Sequence, residues 1–489
     1  MLFNSLEFII VFLPVTLIAT NVALRTFGIR GELLVLAAAS VCFYTYSSGS
    51  YTLILLTSIA INFLLALCIR RSASPNVKFW LVLLGLALNL GALIYFKYWS
   101  FLIDQAIWAG AQMAPVNIEL PTGISFFTFL QIAYLVDAYR NKDVTHDLLD
   151  YTVFVTFFPH LIAGPILHHA EMMPQFYARK SRHIEAYAVG ATLFTIGLAK
   201  KIFLADKLAL VASPVFDNAA TAPPDLAAAW AAAVCYTFQI YFDFSAYSDM
   251  ALGLARLFHI RLPYNFASPY KATSIIDFWR RWHITLSRFL RDYVYIPLGG
   301  GRVGPLRSHL NVLATMLIGG AWHGAGWNFI IWGALHGQLL VLNHIWRRRL
   351  PSVSVPNWLG WAITFVFVVC AWVPFRAESL DQTLAIWSGM LGLNGIAGTV
   401  KLHDAVETAL PLAMVVAFLF PNSQQFLRKY RPGLKTPGYP SPFFVRGFLP
   451  EFPRLLWTPT LLFSIVFALL FAASILSLKD VTEFIYFRF

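Results

Sequence analysis

Residues 309–345 read HLNVLATMLIGGAWHGAGWNFIIWGALHGQLLVLNHI, and this segment gives the strongest indication of the fold class. It consists of two apolar runs, 309–322 and 325–345, each a little short, which meet among small residues at His323. A helix of about 20 apolar residues crosses the hydrocarbon core of a bilayer, roughly 30 Å thick. The two runs therefore predict a pair of membrane helices with an ionisable side chain at their junction.

The composition of the whole chain is that of a membrane protein. Of its 489 residues, 58% are hydrophobic and 12% are charged, whereas soluble domains are about a quarter charged. Met1–Leu24 lacks a basic start and a cleavage site, so we interpret it as a retained helix rather than a signal peptide. We predict an all-α polytopic membrane protein with roughly 11 to 13 transmembrane helices. The predicted spans are 2–24, 31–47, 51–69, 78–101, 121–139, 186–203, 226–246, 309–322, 325–345, 358–376, 405–421 and 456–477.

The net charge of +12 is interpreted as an orientation signal. Most lysines and arginines fall in alternate loops, which the positive-inside rule assigns to the cytoplasm. This alternation predicts that both termini are external and leaves no need for a nucleic-acid partner. The basic loops are 25–30, 70–78, 140–142, 179–182, 256–307, 347–349 and 428–454. The longest predicted external loops are 204–225 and 378–404.

Two apolar segments do not fit simple spanning helices. Residues 151–168, YTVFVTFFPHLIAGPILH, contain helix-breaking prolines and glycine between basic loops, which favours a re-entrant segment surrounded by protein. Residues 268–300 mix charges with aromatic residues, which is typical of amphipathic helices at or just below the cytoplasmic face. The four cysteines, Cys42, Cys68, Cys235 and Cys370, are isolated in apolar runs and indicate neither a disulfide framework nor a metal site.

His323 is the strongest candidate for a catalytic residue. Ionisable side chains at membrane depth are functional candidates, and an imidazole can accept a hydroxyl proton and return it. Its glycine neighbours leave room for a substrate, and Trp322 and Trp327 could line that space. The alternative is that His323 only makes a polar contact between packed helices. His283 and His336 are candidates to orient it. His309 and His344 lie beside arginines, as interfacial residues do.

With these residues in view, the chain resembles the membrane-bound O-acyltransferase (MBOAT) family, most closely its bacterial branch of alginate O-acetylase-like and cellulose acetylation protein-like members. MLFNSLEFIIVFLPV at the N-terminus also resembles the alginate-acetylase type. The other motifs that carry the resemblance are FPHLIAGPI (158–166), YFDFSAYSDMALGLARLFHIRLPYNFASPY (241–270), DFWRRWHITLSRFLRDYVYIPLGG (277–300) and GGAWHGAGWNFIIWGALHG (319–337).

The resemblance implies a ring of transmembrane helices around a thinned centre, where a cytoplasmic donor tunnel meets an external funnel. His323 matches the invariant catalytic histidine, and His283 matches a second family position. His336 matches a commonly found histidine, while Trp322 and Asp277 are supporting candidates. We expect acetyl-CoA as donor substrate, without a bound cofactor or metal. Arginines attract polyanionic CoA, although they also anchor helices to anionic lipid; the candidates are Arg280, Arg281, Arg288 and Arg291.

The resemblance further implies a single domain over 1–489, with N-terminal helices (1–120), a catalytic core (121–345) and C-terminal helices (346–489). We expect a multi-pass protein of the bacterial inner membrane that moves acetyl groups outward for exopolysaccharide O-acetylation, through a periplasmic acetyltransferase or accessory protein. A non-catalytic acetyl conduit and an acyltransferase for peptidoglycan or teichoic acid are alternatives. A transporter for an unrelated solute would show inverted repeats and paired intramembrane charges, and the sequence suggests neither.

Overall fold

The computed structural model describes residues 1–140, 147–178, 184–398, 403–436, 438–439, 456–478 and 482–485. Helices are the regular elements throughout these ranges. Four continuous apolar runs are long enough to cross a membrane: Glu7–Arg71, Pro75–Trp108, Ile184–Asn218 and Asn357–Arg376. Three shorter apolar helices are Ile124–Tyr139, Ala405–Leu419 and Leu461–Leu476. The prediction of an all-α polytopic membrane protein is confirmed.

The helices of the N-terminal part are α1 (Leu13–Ser48), α2 (Thr52–Arg71), α3 (Pro75–Leu93), α4 (Trp99–Trp108), α5 (Ile124–Tyr139), α6 (Leu148–Thr156), α7 (Phe158–Leu161), α8 (His169–Met172), α9 (Pro174–Tyr177) and α10 (Ile184–Lys200). They are followed by α11 (Asp206–Asn218), α12 (Leu226–Leu257), α13 (Ile275–Trp279), α14 (Ile284–Leu290), α15 (Pro305–His323), α16 (Trp327–Arg349), α17 (Asn357–Arg376), α18 (Leu380–Met390), α19 (Ala405–Leu419), α20 (Ser423–Phe426) and α21 (Leu461–Leu476). Short π-helical turns are Glu7–Phe12, Ile94–Tyr98, Lys201–Ala205 and Arg291–Tyr295.

By their internal contacts, the described residues fall into two compact units. The first comprises residues 1–191 and 250–263, and the second comprises residues 192–249 and 264–485. All the candidate site residues from the sequence belong to the second unit. The division of a single domain at residues 120 and 345 stays a prediction.

Several predicted loops are helical. The predicted loop 25–30 is a kink within α1, where Gly28 takes the left-handed φ of 69° that glycine adopts without strain. The predicted external loop 204–225 contains α11, whose apolar face is buried while its polar residues face outward. The predicted loop 378–404 contains α18, which Ser379 caps by accepting a hydrogen bond from the Gln382 amide. The predicted basic loops at 140–142, 179–182 and 428–454 lie largely outside the described residues.

Neither of the two irregular segments, 151–168 and 268–300, forms one long helix. Helix α6 ends at Thr156, and residues 157–167 continue as a broken, buried chain around the four-residue α7. Residues 268–300 form α13, α14 and a π-helical turn, and the residues from Trp282 to Thr285 are at most 1% exposed. This segment is packed into the second unit, and its placement relative to the cytoplasmic face stays a prediction.

Glycines allow α15 and α16 to pack closely. A side chain on Gly320 would collide with the Phe329 carbonyl, and one on Gly333 would collide with the Met316 carbonyl. Small residues at such positions let membrane helices approach backbone to backbone. The hairpin thereby fixes the end of α15, where His323 lies.

Candidate active site

His323 is the last residue of α15 and lies deep inside the second unit. It is 2% exposed, and the extended residues Gly324 and Gly326 follow it before α16 begins. The ring centre of His323 lies 5.0 Å from that of Trp322, 5.1 Å from that of Trp332 and 5.0 Å from that of Phe375. These three aromatic residues form what we call the aromatic enclosure. Trp327, expected as a wall, is 52% exposed, and Trp332 is a wall in its place.

His283 is brought next to His323 from a different part of the chain. The two ring centres are 6.5 Å apart, and His283 is fully buried, with Phe244 at 4.8 Å and Trp322 at 6.2 Å. His283 precedes α14 in the left-handed region, with φ 41° and ψ 55°. Left-handed backbone is uncommon for residues other than glycine and often marks functional sites. The structure therefore places the two histidines of the sequence prediction together.

The side chain of Asn265 contacts the ring of His283, and the sequence alone did not indicate this contact. Its side-chain oxygen lies 3.3 Å from His283 Nδ1 and accepts a 2.6 Å hydrogen bond from the Thr285 hydroxyl. Its backbone carbonyl accepts the amide of Ile284 at 2.9 Å. Asn265 lies in the quoted motif 241–270, but that motif carries no sign of a neighbour twenty residues later.

His336 is the third buried histidine and lies behind Trp332. The Trp332 ring centre is 5.1 Å from that of His323 and 4.9 Å from that of His336. The indole N–H of Trp279 donates to His336 Nδ1 at 3.3 Å. Nδ1 is therefore an acceptor, and the single N–H of the neutral ring is on Nε2. His336 is thus linked to His323 through an aromatic ring, whereas His283 faces His323.

Residues 40–378 match the family described as MBOAT, membrane-bound O-acyltransferase. This chain belongs to the membrane-bound O-acyltransferase family. It is 42% identical over 433 residues to the peptidoglycan O-acetyltransferase of Helicobacter pylori, covering 81% of each chain. It is 38% identical over 506 residues to the probable alginate O-acetylase AlgI of Pseudomonas putida, covering 100% of each chain, and 40% identical over 431 residues to that of Pseudomonas aeruginosa, covering 86% of this chain and 80% of the relative.

Membership in this family makes the chain an O-acyltransferase, and His323, His283 and Trp322 lie together in its second unit. Asp277 is engaged elsewhere. Both of its oxygens contact Arg281, at 2.9 Å to Nη2 and 2.9 Å to Nε. This paired geometry resembles that of other bidentate arginine–carboxylate contacts. Asp277 therefore supports the α13 segment of the O-acyltransferase rather than an imidazole.

The four arginines proposed for the donor have different environments. Arg280 is exposed, whereas Arg281 and Arg288 are buried at 9% and 4% exposure. Arg291 pairs with Asp292 at 2.8 Å and lies 5.5 Å from the ring centre of Tyr439, whose pKa is raised to about 12 by burial. Arg280 is the most exposed of the four arginines, and a role in donor binding stays a prediction for all of them.

Buried ion pairs are present, which the sequence did not suggest. Lys201 lies in the spanning run Ile184–Asn218, and its ammonium is 2.8 Å from Asp243 and 2.9 Å from Asp206. Lys200 pairs with Asp249 at 2.6 Å. The expectation that paired intramembrane charges are lacking is therefore wrong, because residues distant in sequence pair in the fold. In this O-acyltransferase each buried carboxylate of these pairs is neutralised by a lysine, so that no charge of the pairs is left without a partner.

Within the described ranges, no group of three or more histidines, cysteines or carboxylates is arranged to hold a metal ion. All four cysteines are free. The absence of a metal or bound cofactor from the working enzyme stays a prediction.

Proposed function

We propose that this O-acyltransferase takes acetyl groups from cytosolic acetyl-CoA and passes them across the bacterial inner membrane for O-acetylation of a polysaccharide. An alginate- or cellulose-like exopolysaccharide is the proposed final acceptor, reached through a periplasmic acetyltransferase or accessory protein. The relatives named for alginate acetylation support this class of acceptor. The observation that carries the proposal is the pair of buried imidazoles, 6.5 Å apart, beside the aromatic enclosure.

The proposed reaction is a direct acyl transfer. The acceptor's hydroxyl oxygen attacks the carbonyl carbon of the thioester, a C–O bond forms and the C–S bond breaks. His323 accepts the hydroxyl proton and returns it to the departing CoA sulfur, so no proton is gained or lost overall. His283 lies near enough to contact the same hydroxyl group.

The aromatic enclosure has a second proposed task. Trp322, Trp332 and Phe375 surround His323 with apolar surface. Exclusion of water from a site protects a reactive ester from hydrolysis and strengthens polar interactions with the reacting atoms. The enclosure would therefore favour transfer to the acceptor over hydrolysis of acetyl-CoA.

The donor is proposed to approach from the cytoplasmic side, with both termini of the chain external. The positive-inside distribution supports this orientation, and the exposed Arg280 provides one cation for the CoA phosphates. Peptidoglycan is the second candidate acceptor, since a relative 42% identical is named for it.

The acceptor is tested in the cells that encode this chain. The gene is deleted and replaced by wild type, His323→Ala or His344→Ala, and ester-linked acetate is measured separately in exopolysaccharide and peptidoglycan. We expect acetate to be lost from the exopolysaccharide in the deletion and in His323→Ala, and restored by wild type and by His344→Ala, a half-buried histidine near the end of α16. Loss from peptidoglycan alone would assign the second acceptor. Full acetylation of both polymers in the deletion would contradict the proposed function.

A further inference from the structure

We propose that Asn265 is a positioning residue that decides which ring nitrogen of His283 carries the proton. The inference rests on the proposed acyl transfer and adds a residue to its machinery. Asn265 is 1% exposed, and its carboxamide lies under the imidazole of His283.

The hydrogen-bond lengths orient the carboxamide. The atom facing the Thr285 hydroxyl is 2.6 Å from it, a length typical of O–H···O bonds and short for N–H···O bonds. The side-chain oxygen therefore faces Thr285, and the amide nitrogen faces the Ser248 hydroxyl at 3.3 Å. The orientation of the amide is thus fixed on both sides.

The same oxygen sets the tautomer of His283. It lies 3.3 Å from Nδ1, and an amide oxygen accepts hydrogen bonds but cannot donate them. Nδ1 must therefore carry a hydrogen when the two groups bond. A neutral imidazole has one N–H, so Nε2 keeps its lone pair and can accept a proton or a hydrogen bond.

Asn265 also holds the backbone that presents this ring. Its carbonyl accepts the Ile284 amide, directly after the left-handed His283. Strained backbone persists where surrounding contacts over-determine it. Asn265 thus contacts three consecutive residues, His283, Ile284 and Thr285. These contacts fix the position and orientation of the His283 ring relative to His323.

The charged surroundings of His283 bear on the pH dependence. Helix α15 presents His323 as the titratable ring next to it, whereas α12 presents the uncharged Phe244. Arg281 and Arg288 flank His283 on its own segment. A carboxylate at position 265 would be a new negative charge, which favours the protonated imidazole and raises the pKa of His283.

The test compares Asn265→Asp and Asn265→Leu by the rate of CoA release from acetyl-CoA, with acceptor present, across pH. We expect Asn265→Leu to lose about 10- to 100-fold, as other residues that orient a functional histidine do. Asn265→Asp keeps an acceptor oxygen, so it should retain most of the rate at high pH. Burial lowers the pKa of wild-type His283 to about 3, and the limb that reports His283 should move upward from there by about 1 to 3 pH units, because its imidazole becomes neutral only at higher pH. The control His344→Ala should leave the limb in place.

Three results would overturn the inference: a wild-type rate in Asn265→Leu, a wild-type rate in His283→Ala, or an unshifted limb in Asn265→Asp. If Asn265→Leu does not fold, the limb of Asn265→Asp decides alone, since aspartate closely matches asparagine in size. A wild-type rate in His323→Ala would instead contradict the proposed acyl transfer itself. The two failures are therefore distinguishable.

Discussion

The rings of His283 and His323 lie 6.5 Å apart although they come from different helical segments, and Trp322 contacts both. His323 is positioned by the glycine-packed hairpin of α15 and α16, and His283 by the buried segment that precedes α14. Each ring is thus held by its own rigid support. This arrangement suits a site in which two imidazoles act on one hydroxyl group.

Removal of the Trp332 ring should impair catalysis through both histidines that it contacts. We expect Trp332→Ala to lower CoA release on the order of 100-fold, because small misplacements of catalytic groups have effects of that size. Trp332→Phe keeps an aromatic wall and should stay within about tenfold of wild type. The measurement is the rate of CoA release with acceptor present. Equal rates in Trp332→Ala and wild type would show that the enclosure does not position the site.

Enlargement of Gly320 should separate α15 from α16. A Cβ there meets the Phe329 carbonyl, which cannot move without shifting the helix. We expect Gly320→Ala to destabilise the protein by about 1–3 kcal/mol, as overpacked cores are. Gly91→Ala is the matched control, since a Cβ there has no neighbour within 4 Å and alanine favours helix. Thermal unfolding in detergent compares them; equal melting temperatures for the two variants would refute the packing argument.

Breaking the buried Lys201–Asp243 pair should destabilise the second unit strongly. Lys201→Met leaves two carboxylates without their cation, and such a loss costs about 3–5 kcal/mol. Arg30→Gln removes an exposed pair to Asp147 and should cost about 0–1 kcal/mol. Thermal unfolding measures both. If Lys201→Met melts like wild type, the pair is not important for stability.

Arg280 and Arg281 should respond differently to charge removal. Arg280→Gln is expected to raise the KM for acetyl-CoA about threefold to tenfold at low salt, with less effect as salt rises. Arg281→Gln would leave Asp277 without its bidentate partner and should lower thermal stability instead. A KM of Arg280→Gln that equals the wild-type value at all salt concentrations would favour lipid anchoring over donor binding.

Much of the fold could be predicted because membrane helices are recognisable in a sequence by their length and hydropathy. The predicted runs at 51–69, 325–345 and 358–376 correspond closely to α2, α16 and α17. Amphipathic or charged helices are harder to predict from the sequence. The polar face of α11 hides its periodicity, so the sequence predicts a loop there, and α12 continues to Leu257, past its predicted end at residue 246.

The site was predictable only where a single residue was conspicuous. His323 stands out as an imidazole between two apolar runs, and the family resemblance favours His283 over His336 as its partner. The contact of Asn265 with His283 depends on how two irregular segments fold together, and no periodicity encodes it. Trp332 takes the place of the expected Trp327, which is 52% exposed at the start of α16.

The most direct test is CoA release from acetyl-CoA by purified protein in lipid vesicles with acceptor present, comparing wild type, His323→Ala and the matched His344→Ala. We predict a loss of at least about 100-fold in His323→Ala, the lower end of what a general base contributes, with His344→Ala unchanged and both variants melting like wild type. Wild-type CoA release by a folded His323→Ala protein would contradict catalysis at this histidine.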